Sequence, residues 1–154
     1  MTWVYFLEVK SHRETLEAFQ AFKAIAEKTS GHVIHRFRCD NERGEYDNRF
    51  FLEFLSAEGI SYEPAAPYTQ NQNGVSERKI CTIAERARTM LLEASLPKGF
   101  WEDAVATAVY ILNRSPTKAL TGMTAFEAWF GRGANLAHLR RFGCDAYLHV
   151  SDAQ

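Results

Sequence analysis

The pattern of hydrophobic and polar positions predicts strands in the first part of the chain. Residues 2–9 are mostly aromatic or β-branched, with a polar break at Glu8, a composition typical of a buried strand. Residues 32–39 alternate in period two and predict a second strand that ends immediately before Asp40. A brief extended segment is expected at residues 60–62.

Cap residues predict helices between and after these strands. Ser11 with Glu14, and Thr124 with Glu127, have the spacing of a capping box. Asn48 is a suitable N-cap for a shorter helix. A glycine follows the expected end of each helix: Gly31, Gly131 and Gly59.

Two longer helices are predicted in the second half of the chain. From Val75 an apolar stripe recurs at helical spacing as far as Ala94, and Glu77 lies at its edge in the first turn. A further helix over residues 100–114 is expected to stop before Pro116. The pattern therefore predicts helices and strands in one chain.

Length and composition indicate one soluble globular domain. The 154 residues are 46% hydrophobic and 24% charged, and a chain of this size buries roughly two thirds of its unfolded surface. The longest apolar run, residues 104–112, is far shorter than the roughly 20 residues that span a bilayer. The N-terminus also lacks the pattern of a signal peptide, so a membrane partner is not expected.

Charge and cysteine content narrow the function classes. Cys39, Cys81 and Cys144 are far apart and without metal-ligand spacing, which indicates reduced thiols in an intracellular compartment. The formal charge of -1 gives no overall attraction to nucleic acid, so such binding would depend on local basic clusters. The candidate clusters are Arg36, Arg38 and Arg43; Arg86 and Arg88; and Arg140 and Arg141.

Asp40 and Glu77 are the candidate catalytic groups. The 36 residues between them are enough to return the chain beside its start, so both carboxylates could meet at one end of a sheet. Paired carboxylates suit Mg²⁺ or Mn²⁺, although a two-metal site normally uses three or more. A structural role stays open for both, because Asp-Asn is a common turn pair and the helix dipole favours Glu in a first turn.

Amide side chains dominate the stretch before Glu77, PYTQNQNGVSERK, residues 67–79. This composition predicts a mobile polar loop over residues 68–76 that leads into the helix. The helix would then hold Glu77 in a defined direction beside the loop.

Several motifs, in order, resemble one known family. They are HVIHRFRCDNERGEYDNRFF, GISYEPAAPYTQNQNGVSERKICTIAERARTML and LPKGFWEDAVATAVYILNRSP, followed by TAFEAWFGR and HLRRFGCDAYLHV. The first three closely resemble the integrase catalytic core of copia-type LTR retrotransposon polyproteins, and the last two resemble the same polyproteins downstream. The resemblance covers nearly the whole chain.

This resemblance implies a fold and a site. The fold is an α/β, ribonuclease-H-like integrase core, in which helices flank a mixed sheet. The site is an Asp, Asp, Glu triad that binds Mg²⁺ or Mn²⁺; Asp40 matches the second Asp and Glu77 the Glu. Residues 68–76 match a flexible loop that approaches DNA. The residues expected to contact DNA are Tyr68, Gln70, Gln72, Asn73, Arg78 and Lys79.

The chain departs from the family pattern before Asp40. The family's first triad Asp lies on its first strand, and no Asp precedes Asp40 here. Residues 2–9 resemble the third strand, so the core, residues 1–133, is expected to be truncated, to lack its first two strands and to be catalytically incomplete. Residues 2–9 would then have no neighbouring strand for their backbone groups. Residues 134–154 resemble a linker and the start of a truncated small β-barrel.

The activity that the resemblance implies is DNA integration. A 3′-hydroxyl would attack a phosphodiester in a metal-dependent transesterification, with element ends and target DNA as partners, self-association of the protein and a nuclear site of action. Two alternatives stay open: a non-catalytic module that binds DNA or protein, and a ribonuclease-H-like hydrolase of another family. The downstream motif FGCDAYLHV disfavours the second.

Overall fold

The computed structural model describes residues 1–9, 11–39, 46–64 and 70–147, with backbone alone for residues 70–73 and 75. Asp40, Arg43 and Tyr68, which the sequence marks as candidate site residues, lie outside these ranges. In the described part, no helix combines the length and the apolar composition needed to span a membrane.

Helix α1, His12–Ser30, begins and ends where the sequence predicts. Ser11 Oγ accepts a hydrogen bond from the backbone N–H of Glu14 at 3.2 Å. The Glu14 carboxylate accepts a hydrogen bond from the N–H of Val9 at 3.0 Å, two residues before the Ser11 N–H that a capping box would use. Gly31 ends the helix with φ 70°, a left-handed conformation that glycine adopts without steric cost.

Two short strands pair in parallel around a crossover helix. Strand β1, Arg36–Cys39, and strand β2, Ser61–Pro64, pair with Arg36 opposite Ser61 and Cys39 opposite Pro64. The connecting helix α2, Arg49–Ala57, is capped by the Asn48 side chain as predicted. The predicted strand over residues 32–39 is confirmed in its last four residues.

The first hydrophobic core lies between α1, α2 and this strand pair. Its buried members are Phe19, Phe51, Leu55 and Ile60. The rings of Phe19 and Phe37 meet edge to face with centroids 4.9 Å apart. Their packing fixes β1 against α1 and therefore fixes the direction in which β1 ends.

Helix α3, Gln70–Glu93, begins earlier than the sequence predicts. The predicted flexible loop over residues 68–76 is therefore wrong from Gln70 onward, where the backbone is helical. Glutamine is a good helix former, and Gly74 lowers helix propensity by only about 1 kcal/mol, so a helix secured by its packed second half can extend through this stretch. The apolar stripe is buried at Ala87 and Leu91, whereas Ile80 is 66% exposed.

Helix α4, Trp101–Asn113, packs against α3 and forms the second core. A short 3₁₀ turn, Lys98–Phe100, precedes it. Ala104 and Val105 are buried against the second half of α3. The predicted helix over residues 100–114 is thus confirmed within one residue at each end.

A hairpin and a short helix complete the described chain. Strands β3, Pro116–Thr117, and β4, Leu120–Thr124, are antiparallel. Helix α5, Ala125–Phe130, starts with the predicted capping box, in which both reciprocal bonds between Thr124 and Glu127 form. The following residues as far as 147 contain no strand in the described part, and residues 148–154, the end of the segment that resembles the start of a small β-barrel, lie outside it.

Residues 2–9 do not form the predicted strand. A strand needs a neighbouring strand to bond its N–H and C=O groups. Among the described residues no strand pairs with residues 2–9, and they form no strand. The expected mixed sheet is likewise not seen in residues 1–9, 11–39, 46–64 and 70–147. This part holds a parallel pair and a separate antiparallel hairpin.

Candidate functional site

The candidate site lies at the carboxyl ends of β1 and β2. Because the two strands are parallel, the chain leaves both at the same edge. Asp40 follows β1 directly, and residues 65–69 connect β2 to α3. Asp40 itself is outside the described residues, and Cys39, the last residue of β1, is the described residue that precedes it in the sequence.

Glu77 lies about two turns inside α3, since that helix begins at Gln70. The predicted position of Glu77 in the first helical turn is therefore wrong, and the helix dipole, which acts within that turn, does not explain the residue. The side chain of Glu77 is exposed to solvent.

A cavity is lined by residues close in sequence to both candidate carboxylates. It has a volume of about 760 Å³ and lies between residues 1–7, α1, β1 and the first half of α3. We call it the N-terminal cavity. Arg38, two residues before Asp40, and Ser76, next to Glu77, both line it. The structure thus brings residues that are close in sequence to each candidate carboxylate to one cavity.

Two arginines on β1 share one carboxylate. Arg36 Nε lies 3.1 Å from Glu63 Oε1, and Arg38 Nη2 lies 3.0 Å from Glu63 Oε2. Residues 36 and 38 share a face of the strand, and both side chains are largely exposed. One carboxylate against two guanidinium groups leaves the two described members of this predicted basic cluster with an excess of one positive charge.

The other predicted basic residues differ in their surroundings. Arg78 and Lys79 are exposed, and Lys79 lines the N-terminal cavity. Arg141 pairs with Glu93 at 3.2 Å, and Arg140 donates to the backbone carbonyls of Ala137 and Leu139. Arg140 and Arg141 therefore contact neighbouring protein groups, whereas Arg78 and Lys79 on α3 are exposed.

For three further residues predicted to contact DNA, the structure describes the backbone only. Gln70, Gln72 and Asn73 lie in the first two turns of α3, ahead of Glu77 on the same helix. Tyr68 precedes this helix and lies outside the described residues.

Metal-ligating side chains do not form a cluster in the described part of the chain. No group of three His, Cys, Asp or Glu side chains is close enough there to hold an ion. Asp40 is not among those residues. The donor type of the predicted pair still suits a hard divalent cation, because carboxylate oxygens are the ligands that Mg²⁺ and Mn²⁺ prefer.

Two polar residues near the site were not singled out by the sequence. Glu63 orients both arginines of β1, and Asn113 bonds the backbone of residue 2 from α4. Glu63 lies one residue before a proline at the end of a short extended segment, and its role depends on the register of β2 against β1. The spacing of residues along the sequence does not specify how β2 pairs with β1.

Comparison with known proteins decides the relationship. The chain is 42% identical over 152 residues to the retrovirus-related Pol polyprotein from transposon TNT 1-94 of Nicotiana tabacum, a match that covers 99% of this chain. It is 40% identical over 146 residues to the corresponding polyprotein from transposon RE1 of Arabidopsis thaliana, covering 95% of this chain. Nearly the whole chain is homologous to a segment of the retrovirus-related Pol polyproteins of transposons. The relationship predicted from the motifs is confirmed.

This Pol-related chain corresponds to a small part of those relatives. It spans 11% of the tobacco polyprotein and 10% of the Arabidopsis one. No family model matches the chain.

A solved structure supports the fold of the Pol-related chain. A chain in the cryo-EM structure of the simian T-cell lymphotropic virus intasome, in complex with PP2A regulatory subunit B56 gamma, superposes with a TM-score of 0.56. The superposition covers 91% of this chain and 46% of that one at 17% sequence identity. The likeness shows a shared fold.

Proposed function

We propose that this chain is the integrase core segment of a copia-type Pol polyprotein, with a ribonuclease-H-like fold, and that it acts in DNA integration. Its relatives are transposon Pol polyproteins over nearly its whole length, and its fold resembles a chain of a viral intasome. The observation that carries the site is the N-terminal cavity, which is lined by Arg38, two residues before Asp40 in the sequence, and by Ser76, the residue before Glu77.

Asp40 and Glu77 are the proposed ligands of Mg²⁺ or Mn²⁺. Both are carboxylates, one directly after β1 in the sequence and one on α3. When bound, the ion would polarise a phosphodiester and stabilise its leaving oxygen. The role of the protein is to orient the two carboxylates. Two packing contacts serve this role, Phe37 on Phe19 and α3 on α4.

DNA would lie along the first half of α3. Arg78 and Lys79 are exposed cations suited to phosphate oxygens. The amide residues Gln70, Gln72 and Asn73, with Tyr68 before them, offer donors and acceptors to the same strand. Element ends and target DNA are the proposed partners, with self-association of the protein and a nuclear site of action.

Titration with Mn²⁺ in a calorimeter tests the metal site. Glu77→Gln and Asp40→Asn should each weaken binding, because each removes a charged ligand. Glu85→Gln is a matched control, since Glu85 is an exposed glutamate about two turns further along the same helix. Equal Mn²⁺ affinity in Glu77→Gln and in the unaltered chain would contradict the assignment.

A polypeptide of these 154 residues is proposed to be catalytically incomplete. It contains no Asp before Asp40, and two carboxylates fall short of the three or more that a two-metal site uses. A strand-transfer assay with Mg²⁺ or Mn²⁺ should therefore give no product. Product that disappears in Asp40→Ala would show instead that the two carboxylates are sufficient.

A non-catalytic DNA-binding module is the second candidate. It is favoured by the exposed cations Arg78 and Lys79 of α3, which suit phosphate contacts that need no metal. This candidate predicts DNA binding that falls steeply with salt, together with no measurable Mn²⁺ binding. The two proposals therefore separate on the metal titration alone.

A further inference from the structure

We propose that a cluster of arginine, histidine and aromatic side chains binds a phosphate group of a nucleic-acid backbone. We call it the arginine–aromatic cluster, and its members are Tyr110, Arg114, Phe126, Arg132 and His138. They come from the end of α4, from α5 and from the segment after α5, and these parts of the chain carry neither candidate carboxylate. The choice of a nucleic acid as the source of the phosphate rests on the proposed function.

Both guanidinium groups of the cluster lie on the Phe126 ring. Cζ of Arg114 is 4.4 Å from the centroid of this ring and 3.4 Å from the centroid of Tyr110. Cζ of Arg132 is 5.9 Å from the Phe126 centroid. Phe126 is only 8% exposed, so the ring that carries both cations is fixed by its packing. Cation–π contacts hold a guanidinium in place, and less conformational freedom is then lost when an anion binds.

The two arginines keep donors for a ligand. Arg114 donates from Nη1 to the Tyr110 carbonyl at 3.2 Å. Within the described residues neither Arg114 nor Arg132 forms an ion pair. A guanidinium carries five N–H groups in a planar fork that fits a phosphate. The Arg114 group is thus held by one hydrogen bond and two rings, and its remaining N–H groups can donate to an anion.

His138 adds a third donor beside Tyr110. Its Nε2 lies 2.8 Å from the Tyr110 hydroxyl oxygen, and the two rings meet edge to face with centroids 5.8 Å apart. When Nε2 accepts the hydrogen bond of the hydroxyl, Nδ1 carries the ring proton and can donate to a phosphate oxygen. Tyr110 thus connects His138 to Arg114, which lies on the same ring.

The charge of this part of the chain is positive. Residues 110–140 contain one acid, Glu127, against four basic residues, although the whole chain has a formal charge of -1. The basic residues are Arg114, Lys118, Arg132 and Arg140. The Glu127 carboxylate accepts a hydrogen bond from the N–H of Thr124 at 2.7 Å as part of the α5 cap. A local excess of cations attracts a polyanion even when the net charge of the protein does not.

A polymer backbone fits this cluster better than a small phosphate compound does. No member of the cluster lines the N-terminal cavity, and Arg132 and His138 are exposed. Small ligands typically occupy enclosed sites, whereas the phosphates of a nucleic-acid backbone are contacted by arginine side chains on the protein surface. The exposed position of the two residues therefore favours a backbone phosphate.

Binding of a fluorescently labelled DNA duplex to the full chain tests the cluster, measured by anisotropy at several salt concentrations without divalent metal. Arg132→Gln should weaken binding by about tenfold, the loss expected for one charge-assisted contact. It should also reduce the slope of log affinity against log salt by about 0.9, the value for one phosphate contact. Arg13→Gln is the matched control, because it removes the same charge from an exposed arginine on α1. It should leave the affinity and the slope unchanged.

Circular dichroism must show that Arg132→Gln folds; His138→Gln, at another exposed residue of the cluster, serves if it does not. Two competitors then identify the anion. Unlabelled duplex should displace the labelled DNA, whereas inorganic phosphate or polyglutamate at the same concentration of anionic groups should not. Equal displacement by polyglutamate would indicate a surface for acidic peptides, and equal displacement by inorganic phosphate a site for the free ion. Either result, or equal affinities of Arg132→Gln and Arg13→Gln, would overturn the proposal.

Lys79→Gln, measured in parallel, keeps this site distinct from the proposed function. Weaker binding in Lys79→Gln alone would remove this site and leave DNA along α3. Weaker binding in Arg132→Gln alone would retain this site and contradict the placement of DNA along α3. No DNA binding by the unaltered chain would overturn this site, while the titration with Mn²⁺ would still decide the metal site.

Discussion

Asn113 and Thr2 bond each other reciprocally across 111 residues of sequence. The backbone N–H of Thr2 donates to Asn113 Oδ1 at 2.8 Å, and Asn113 Nδ2 donates to the Thr2 carbonyl at 2.7 Å. One side-chain amide thus supplies the donor and the acceptor that a neighbouring strand would otherwise offer. This contact helps to hold the N-terminal segment over its cavity.

Asn113→Ala should destabilise the protein. Asn113 is only 4% exposed, and removing a buried partner typically costs about 1–3 kcal/mol. Urea denaturation followed by circular dichroism measures the change. Asn135→Ala is the control, because Asn135 makes a local bond to the N–H of Ala137 on an exposed segment. A loss no larger than that of the control would show that the Thr2 contact contributes little.

Gly74→Ala should stabilise the protein by about 1 kcal/mol, the difference in helix propensity between the two residues. Gly74 lies inside α3 without a positive φ, and an added Cβ would meet Arg78 at an ordinary 3.9 Å. Thermal unfolding gives the comparison. Gly59→Ala, at φ 67°, should destabilise instead. Destabilisation by Gly74→Ala would favour the loop that the sequence alone predicts.

Gly143→Ala should detach the segment after α5 from the second core. A Cβ at this position would lie 2.5 Å from Ala94 Cβ, and the φ of 77° disfavours any other residue. The expected loss is about 1–3 kcal/mol, the usual range for a strained backbone position. Gly133→Ala is the matched control, because its nearest neighbour would lie 3.9 Å away. Similar unfolding midpoints for both variants would contradict the close packing at Gly143.

We expect protonation of the Glu27 carboxylate to contribute to a loss of folding stability in acid. Its carboxylate accepts bonds from Lys23 Nζ and from the N–H of Ile34, both at 2.8 Å, and these lower the pKa of Glu27 below its usual value. A lowered pKa stabilises the folded state above the unfolded pKa of about 4.3, and the effect is lost as pH falls through the folded pKa.

Glu27→Gln should therefore lower stability at neutral pH and narrow its difference from the unaltered chain near pH 3. Unfolding midpoints measured across this range check the expectation. Glu17→Gln, which removes an exposed ion pair with Arg13, should alter the acid limb much less. A constant difference between Glu27→Gln and the unaltered chain at every pH would show that ionisation of Glu27 does not matter.

Local sequence signals correctly predicted the helices that begin with a capping side chain. Asn48 and the Thr124–Glu127 pair cap helices as expected, because a side chain bonding a nearby N–H needs no partner distant in sequence. The loop predicted from the amide-rich residues 68–76 is wrong from Gln70 onward. The composition of this stretch favours a loop, but the packing of Ala87 and Leu91 stabilises a helix that extends back to Gln70.

The sequence by itself determined the caps, the two amphipathic helices and the motifs that relate the chain to Pol polyproteins. Those features depend on residues that are close together along the chain. The tertiary structure alone decided that residues 2–9 form no strand, that Glu63 joins Arg36 and Arg38, and that Arg38 and Ser76 meet at one cavity. Each of these depends on which distant segments lie side by side, and neither periodicity nor composition specifies that pairing.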